Sequence, residues 1–289
     1  MPLLTSKIHR ASRRCSQTHT ASGLQVTSIH KILLTRKPRI MSLPHAAPAV
    51  LEFSQPPSYK NTQSDTAATL VWLKETIATI YLAGRETSSS HDEPPTLARS
   101  AYLDVYTTAY NYCDLTKHTF KSKYGASEPL NGQNLYRCLE NIIRSHCSEV
   151  RARGFTREAE TDVNSAAHAA IQEYLAQWKM LTQHLASLVA RLLRYLERMW
   201  IQRELAEKRK GINTIEDLHT VIWKEEILLH VGQDSTTAAA GSTRSELNRA
   251  VTMLLQEQGQ DGIDSDKRNL AERFLESLRT MDVDLEASV

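Results

Sequence analysis

The chain has 289 residues, room for one large or two medium domains. Only 10 Gly and 9 Pro occur, and the apolar residues recur mostly at helical spacing, which points to an all-α protein. The net charge of +2 conceals an asymmetry: residues 1–50 carry eight Lys or Arg and no acid, so the other 239 hold 27 basic and 33 acidic side chains, a balance of −6. A mildly acidic body argues against a broad nucleic-acid-binding surface. No apolar run approaches the ~18 residues of a spanning helix, so no membrane role is expected. Cys15, Cys113, Cys138 and Cys147 show neither C-x-x-C spacing nor a paired framework, and read as reduced thiols of a cytoplasmic or nuclear protein.

The first fifty residues are rich in Arg, Ser, Thr and His, the composition of a mitochondrial transit peptide. A disordered tail, or an upstream extension with Met41 as the true start, fits the same composition. Residues 1–64 are therefore set aside as tail and linker, disordered or extended. A first helix begins near Ser64 or Asp65, with Leu70, Leu73, Ile77, Ile80 and Tyr81 as its stripe and Gly84 as its stop. RETSSSHDEPP is a loop. The second helix, about 96–114, sets Tyr102, Tyr106 and Tyr110 at successive i, i+4 positions, so three phenols share one face. Periodicity alone reads that stripe as core. The chemistry of Tyr, large and amphipathic, also suits a contact surface.

A polar loop follows, DLTKHTFKSKYGASEPLNG, with Gly125 and Pro129. A third helix covers about 132–151, turning Leu135, Leu139, Ile142 and Ile143 to one side. The fourth runs from about 157 to 180 through Ala167, Ile171, Tyr174, Leu175 and Trp178. The fifth is HLASLVARLLRYLERMWIQRELAEKRK, apolar on two adjoining faces and therefore packed on both. Lys208, Arg209 and Lys210 suit a helix C-terminus, with Gly211 closing it. Asn213 and Glu216 form a capping box for a sixth helix, Ile215 to about Leu229. VGQDSTTAAAGSTRS is a linker. A seventh helix holds Leu247, Val251, Leu254 and Leu255; QGQDGIDSDK is a loop; the last helix carries Leu270, Phe274, Leu275 and Leu278.

No constellation carries chemistry. Eleven His are scattered, without Cys or carboxylates at ligand spacing, so no metal is expected. No phosphate loop, dinucleotide fingerprint or nucleophile elbow is present. Cys113 reads as a buried structural thiol. The expectation is a non-enzyme without catalytic residues and without cofactors.

Three segments together resemble the N-terminal region of cullins, and cullin-1 in particular. AYLDVYTTAYNYC (101–113) is similar to the family's Y-x-x-x-Y-T-x-V-Y-N-Y-C helix, and GQNLYRCLENII (132–143) to its G-x-x-L-Y-x-x-L segment. The stretch from Tyr174 to Leu228 is similar to Y-x-x-x-W … Y-L-N-R-x-W-V-x-R-E … W-K/R, in the same order and spacing. The resemblance implies an all-α, elongated array of cullin repeats: one complete five-helix repeat over 65–211 and a partial second over 212–289. It implies a non-catalytic scaffold fragment of an SCF-type ubiquitin ligase, acting in ubiquitin-dependent protein catabolism in cytoplasm and nucleus, with mitochondria a minor alternative. Its partner would be a BTB/POZ-fold adaptor carrying an F-box receptor. By position, the docking residues would be Tyr102, Leu103, Tyr106 and Tyr110 on the second helix, with Tyr195 and Met199 on the fifth, Tyr110 lying nearer the core. The chain departs from the family pattern at Ala109, Met199 and Gln202. It ends at Val289, ahead of the family's RING-binding domain, so a RING subunit is not expected. The alternative is a helical-repeat interaction module, or a degenerate paralogue, with no ligase role.

Overall fold

The computed structural model describes residues 50–87, 95–114, 131–155, 163–229, 243–256 and 265–283. All of them lie within one unit of the chain, His45–Val289. The transit-like segment, the polar loop with Gly125 and Pro129, the linker after Leu229 and the loop before Ser265 fall outside the described residues.

The segment read as a linker carries local structure. Strand β1 (Val50–Leu51) pairs in parallel with β2 (Thr96–Leu97), and helix α1 (Tyr59–Ser64) starts on a Ser58 side-chain cap. Helix α2 (Thr66–Thr87) begins where Asp65 accepts the Ala68 amide at 2.8 Å, as its side chain suggests. Leu73, Ile77, Ile80 and Tyr81 are buried. Gly84 does not stop the helix. It lies under Leu185, where a Cβ would sit 3.0 Å from both methyl carbons, so this glycine serves close packing inside a continuing helix.

Helix α3 (Arg99–Asp114) carries the tyrosine row, and α4 (Asn131–Arg153) buries Leu135, Leu139, Ile142 and Ile143 as its periodicity requires. Gly132, in the first turn of α4, faces Trp200 so closely that a Cβ would stand 2.7 Å from the indole Cγ.

The expected fourth and fifth helices join into one rod. It comprises α5 (Val163–Lys179), a π-helical stretch (Met180–Leu185), α6 (Ala186–Leu192), α7 (Arg194–Leu196), a second π-helical stretch (Glu197–Ile201) and α8 (Gln202–Ala206). No Gly or Pro interrupts 163–206, so the backbone has no breaker. The junction residues Lys179, Leu185, Leu196 and Ile201 keep right-handed helical angles. Leu193 relaxes to φ −101° and ψ 24°, yet its amide still reaches Val189 O and its carbonyl still accepts from Glu197 N. The wide turns rephase the apolar stripe. The rod ends at Lys208, not Gly211. Lys208 takes φ 55°, its amide bonds Leu205 O and the Arg209 amide reaches back to Glu204 O, the Schellman pattern.

Helix α9 (Ile215–Trp223) is capped one residue later than the sequence suggests. Thr214 Oγ1 accepts the Asp217 amide at 3.1 Å. The Asn213 amide instead donates to Tyr136 Oη at 3.0 Å. A third π-helical stretch, Lys224–Leu228, follows. Helices α10 (Thr243–Gln256) and α11 (Ser265–Thr280) pack on α5, whereas α2, α3 and α9 pack on the later part of the rod. One rod thus serves two sets of helices, which explains its two apolar faces.

Candidate protein-docking surface

The surface is built by α3 and α6–α7, which lie against each other. On α3, Ala101, Val105, Thr108, Ala109, Tyr112 and Cys113 face the core. The four-residue repeat of Tyr102, Tyr106 and Tyr110 falls on the adjoining strip. It is neither sealed nor fully open. Tyr102 and Tyr106 are half-buried, their rings parallel within 7° with centroids 6.5 Å apart. Tyr110 is 39% exposed, the most open of the three, and not the near-core residue expected; Tyr112, at 2%, takes that place. A period of four drifts slowly around a 3.6-residue turn, which carries each successive ring further along the edge.

The rod completes the patch. Tyr195 is half-buried and meets Tyr110 edge-on, centroids 4.4 Å apart. Its hydroxyl donates to Asp114 Oδ1 at 2.8 Å, which fixes the ring at the end of α3. Tyr102 donates to the Arg191 carbonyl at 3.2 Å, fixing the other end. Leu103 is 49% exposed and Met199 45%. The structure therefore gathers Tyr102, Tyr106, Tyr110 and Tyr195 into one aromatic edge. Leu103 on α3 and Met199 on the second π-helical stretch of the rod stay open to solvent. Along the rod line Leu185 and Leu192 are buried, Leu188 and Tyr195 half-buried and Met199 exposed.

Sequence reasoning missed a hollow of about 380 Å³ beside Tyr102. Pro95, Leu97, His184, Leu188 and Arg191 line it. It forms because the first wide turn of the rod stands across from β2. Neither spacing nor residue type signals such a hollow.

The titratable groups of the interior are arranged for structure. Burial pushes the Cys113 thiol up to about 12, with Asp114 adding to the shift, so it is a poor nucleophile at neutral pH. Burial raises the Cys147 thiol as well. Burial and the positive charges of Arg85 and Arg153 lower His146 to about 3, and burial lowers His219 to about 4. His219 Nδ1 lies 2.6 Å from the Ile215 carbonyl and Nε2 lies 2.5 Å from Tyr81 Oη. A neutral ring protonated on Nδ1, accepting from the phenol, satisfies both contacts. Among the described residues, no group of three or more His, Cys, Asp or Glu could hold a metal ion, and no helix is long and apolar enough to cross a membrane.

Helices stacked on a shared rod, with a partly exposed aromatic edge, make an α-solenoid. The Cullin family model, described as the cullin alpha solenoid domain, matches residues 73–288, and the chain belongs to the cullin family. It is 25% identical over 189 residues to cell division control protein 53 of Saccharomyces cerevisiae, covering 60% of this chain and 22% of that protein. It is 23% identical over 156 residues to cullin-1 of Dictyostelium discoideum, covering 52% and 19%. It is 23% identical over 198 residues to cullin-1 of Caenorhabditis elegans, covering 61% and 24%. The matched region thus spans about a fifth to a quarter of the length of these relatives.

Proposed function

We propose that this chain is a non-catalytic scaffold segment that docks the BTB/POZ-fold adaptor of an SCF-type ubiquitin ligase. The adaptor carries an F-box receptor, and the assembly serves ubiquitin-dependent protein catabolism in cytoplasm and nucleus. Docking uses Tyr102, Leu103, Tyr106, Tyr110, Tyr195 and Met199. The observation that carries this reading is the incomplete burial of the tyrosine row: the bundle leaves the outer side of four rings for another molecule to cover. Tyr supplies large contact area with only two side-chain torsions to freeze, and here the rings are already held by each other and by Asp114 and the Arg191 carbonyl. Met199 gives the edge an adaptable neighbour.

The test is co-purification with a recombinant BTB/POZ-fold SCF adaptor, comparing wild type with Tyr106→Lys. An ammonium forced into the centre of the covered patch should cost about 2–4 kcal/mol of binding, roughly 30- to 1,000-fold in affinity. Equal binding by the two proteins removes the site from this face.

A further inference from the structure

Beside the tyrosine edge lies a strip of unpaired positive charge. Arg191, Arg194 and Arg198 are all exposed on the rod. Arg191 precedes Tyr195 by four residues and Met199 by eight, so it continues their line. Arg194 and Arg198, four apart, occupy the next strip. Among the described residues, no acid stands within ion-pair distance of any of the three; Arg191 Nε donates to the Ser187 carbonyl at 3.2 Å. Two acids close to them in the fold are engaged elsewhere. Asp114 accepts from Tyr195, and Glu197 accepts from the Ile215 amide at 3.0 Å.

Away from this edge the arginines divide: among the described residues Arg153, Arg249, Arg268 and Arg273 also stand singly without an acid, whereas others are paired. Arg144 pairs with Glu140, Glu225 and Glu226, Arg151 with Glu226, and Arg203 and Arg209 with Glu204. In a body of net charge −6, acids are available, yet three neighbouring guanidinium groups beside the aromatic patch go without one.

We propose that the partner covering the tyrosine edge presents an acidic rim to Arg191, Arg194 and Arg198: a folded protein face with an apolar centre flanked by Asp and Glu. The inference rests on the docking reading above and specifies its partner. A guanidinium accepts a carboxylate through two parallel hydrogen bonds. Placed at the rim of an interface, such groups act chiefly on the rate of encounter and on partner choice, and salt weakens them. A polyanion such as nucleic acid or an anionic membrane would use the arginines alone. It would leave the aromatic edge and Met199 uncovered, which is why a protein face fits better.

The experiment measures association and dissociation rates of a recombinant BTB/POZ-fold SCF adaptor at low and high salt. Wild type is compared with the triple variant Arg191→Gln, Arg194→Gln, Arg198→Gln and with Tyr106→Lys. Gln keeps helix propensity, and a thermal melt verifies folding. The triple variant should associate about tenfold more slowly at low salt, lose most of the salt dependence and dissociate at nearly the wild-type rate. Tyr106→Lys should chiefly speed dissociation. If the triple variant matches wild type in rate and salt dependence while Tyr106→Lys still breaks the complex, the acidic rim is overturned and the docking site stands. Short single-stranded DNA and phosphatidylserine vesicles serve as competing probes. Their capture by wild type, lost in the triple variant and indifferent to Tyr106→Lys, overturns the proposal in favour of a polyanion. Absence of any adaptor complex with wild type overturns both readings.

Discussion

Tyr81, Tyr136 and Tyr174 are sealed inside the bundle, whereas Tyr102, Tyr106, Tyr110 and Tyr195 line its edge. Each sealed phenol has a hydroxyl partner far away in sequence. Tyr81 reaches His219, Tyr136 the Asn213 backbone, and Tyr174 the Trp223 indole and Ser277. A buried hydroxyl without a partner would cost a few kcal/mol, so these contacts are obligatory and tie α2, α4 and α5 to the helices beyond Gly211. The edge tyrosines also reach distant partners, Tyr102 the Arg191 carbonyl and Tyr195 the Asp114 carboxylate, but they pack on one another and keep an outer side in water. One residue type therefore fastens the fold in one region and keeps a face in water in another. What separates the two uses is the neighbour across the packing seam, which the four-residue spacing does not encode.

Acid should break the fastened region first and hardest. His219 and His146 are neutral in the fold, held at about 4 and about 3, whereas in the unfolded chain they take up protons near 6.5. Below pH 6.5 the unfolded state binds protons that the native state refuses, so stability is complete above that value and falls as pH drops toward the folded-state values. The slope approaches about 1.4 kcal/mol per pH unit for each histidine, roughly 2.7 for the pair. Urea midpoints between pH 7 and 4.5 measure it. A flat profile would mean that the Tyr81–His219 contact admits a charged ring.

Tyr174→Ala is the next largest. Its ring meets Phe155, Trp223 and Phe274 with centroids 5.0–5.6 Å apart, and it is fully buried. Removing it leaves a cavity where α5 meets α9 and α11, with a loss of about 3–5 kcal/mol by chemical denaturation. A loss under 1 kcal/mol would show that this seam can collapse, and would erase the distinction between the two sets of tyrosines.

Helix identity was legible in the sequence because apolar spacing reports it directly: the stripe of α4 is buried throughout, and that of α2 is buried from Leu73 on, with Leu70 half-buried at its start. What spacing could not show was decided by contacts across the fold. Gly84 reads as a stop, but it lies inside a continuing helix and admits Leu185, just as Gly132 at the start of α4 admits Trp200. Asn213 and Thr214 are both competent caps one residue apart; Tyr136 takes the Asn213 amide and leaves the cap to Thr214. The rod between 163 and 206 looks like two helices because its apolar phase shifts, and wide turns produce the same shift without a break. On the aromatic edge, periodicity alone read the tyrosine row as core, the chemistry of Tyr also suited a contact surface, and the likeness to a known family supplied the kind of partner to expect. The unpaired arginines gave no signal at all, since the absence of nearby acids is a property of the folded surface.

The smallest expected effect is the most discriminating. Tyr106→Lys, the variant that should weaken adaptor binding, should change folding stability by no more than about 0.5 kcal/mol, because the ammonium can reach water from a half-buried helix edge while its stem lies along the neighbouring ring of Tyr102. Thermal melts of the isolated variant measure this directly. A large destabilisation would mean that the ring of Tyr106 belongs to the fold, and any loss of binding would then follow from unfolding instead of from the edge. A near-silent melt together with lost binding would assign Tyr106 to the contact between molecules, the opposite of Tyr174, whose removal should be felt in the melt before any partner is added.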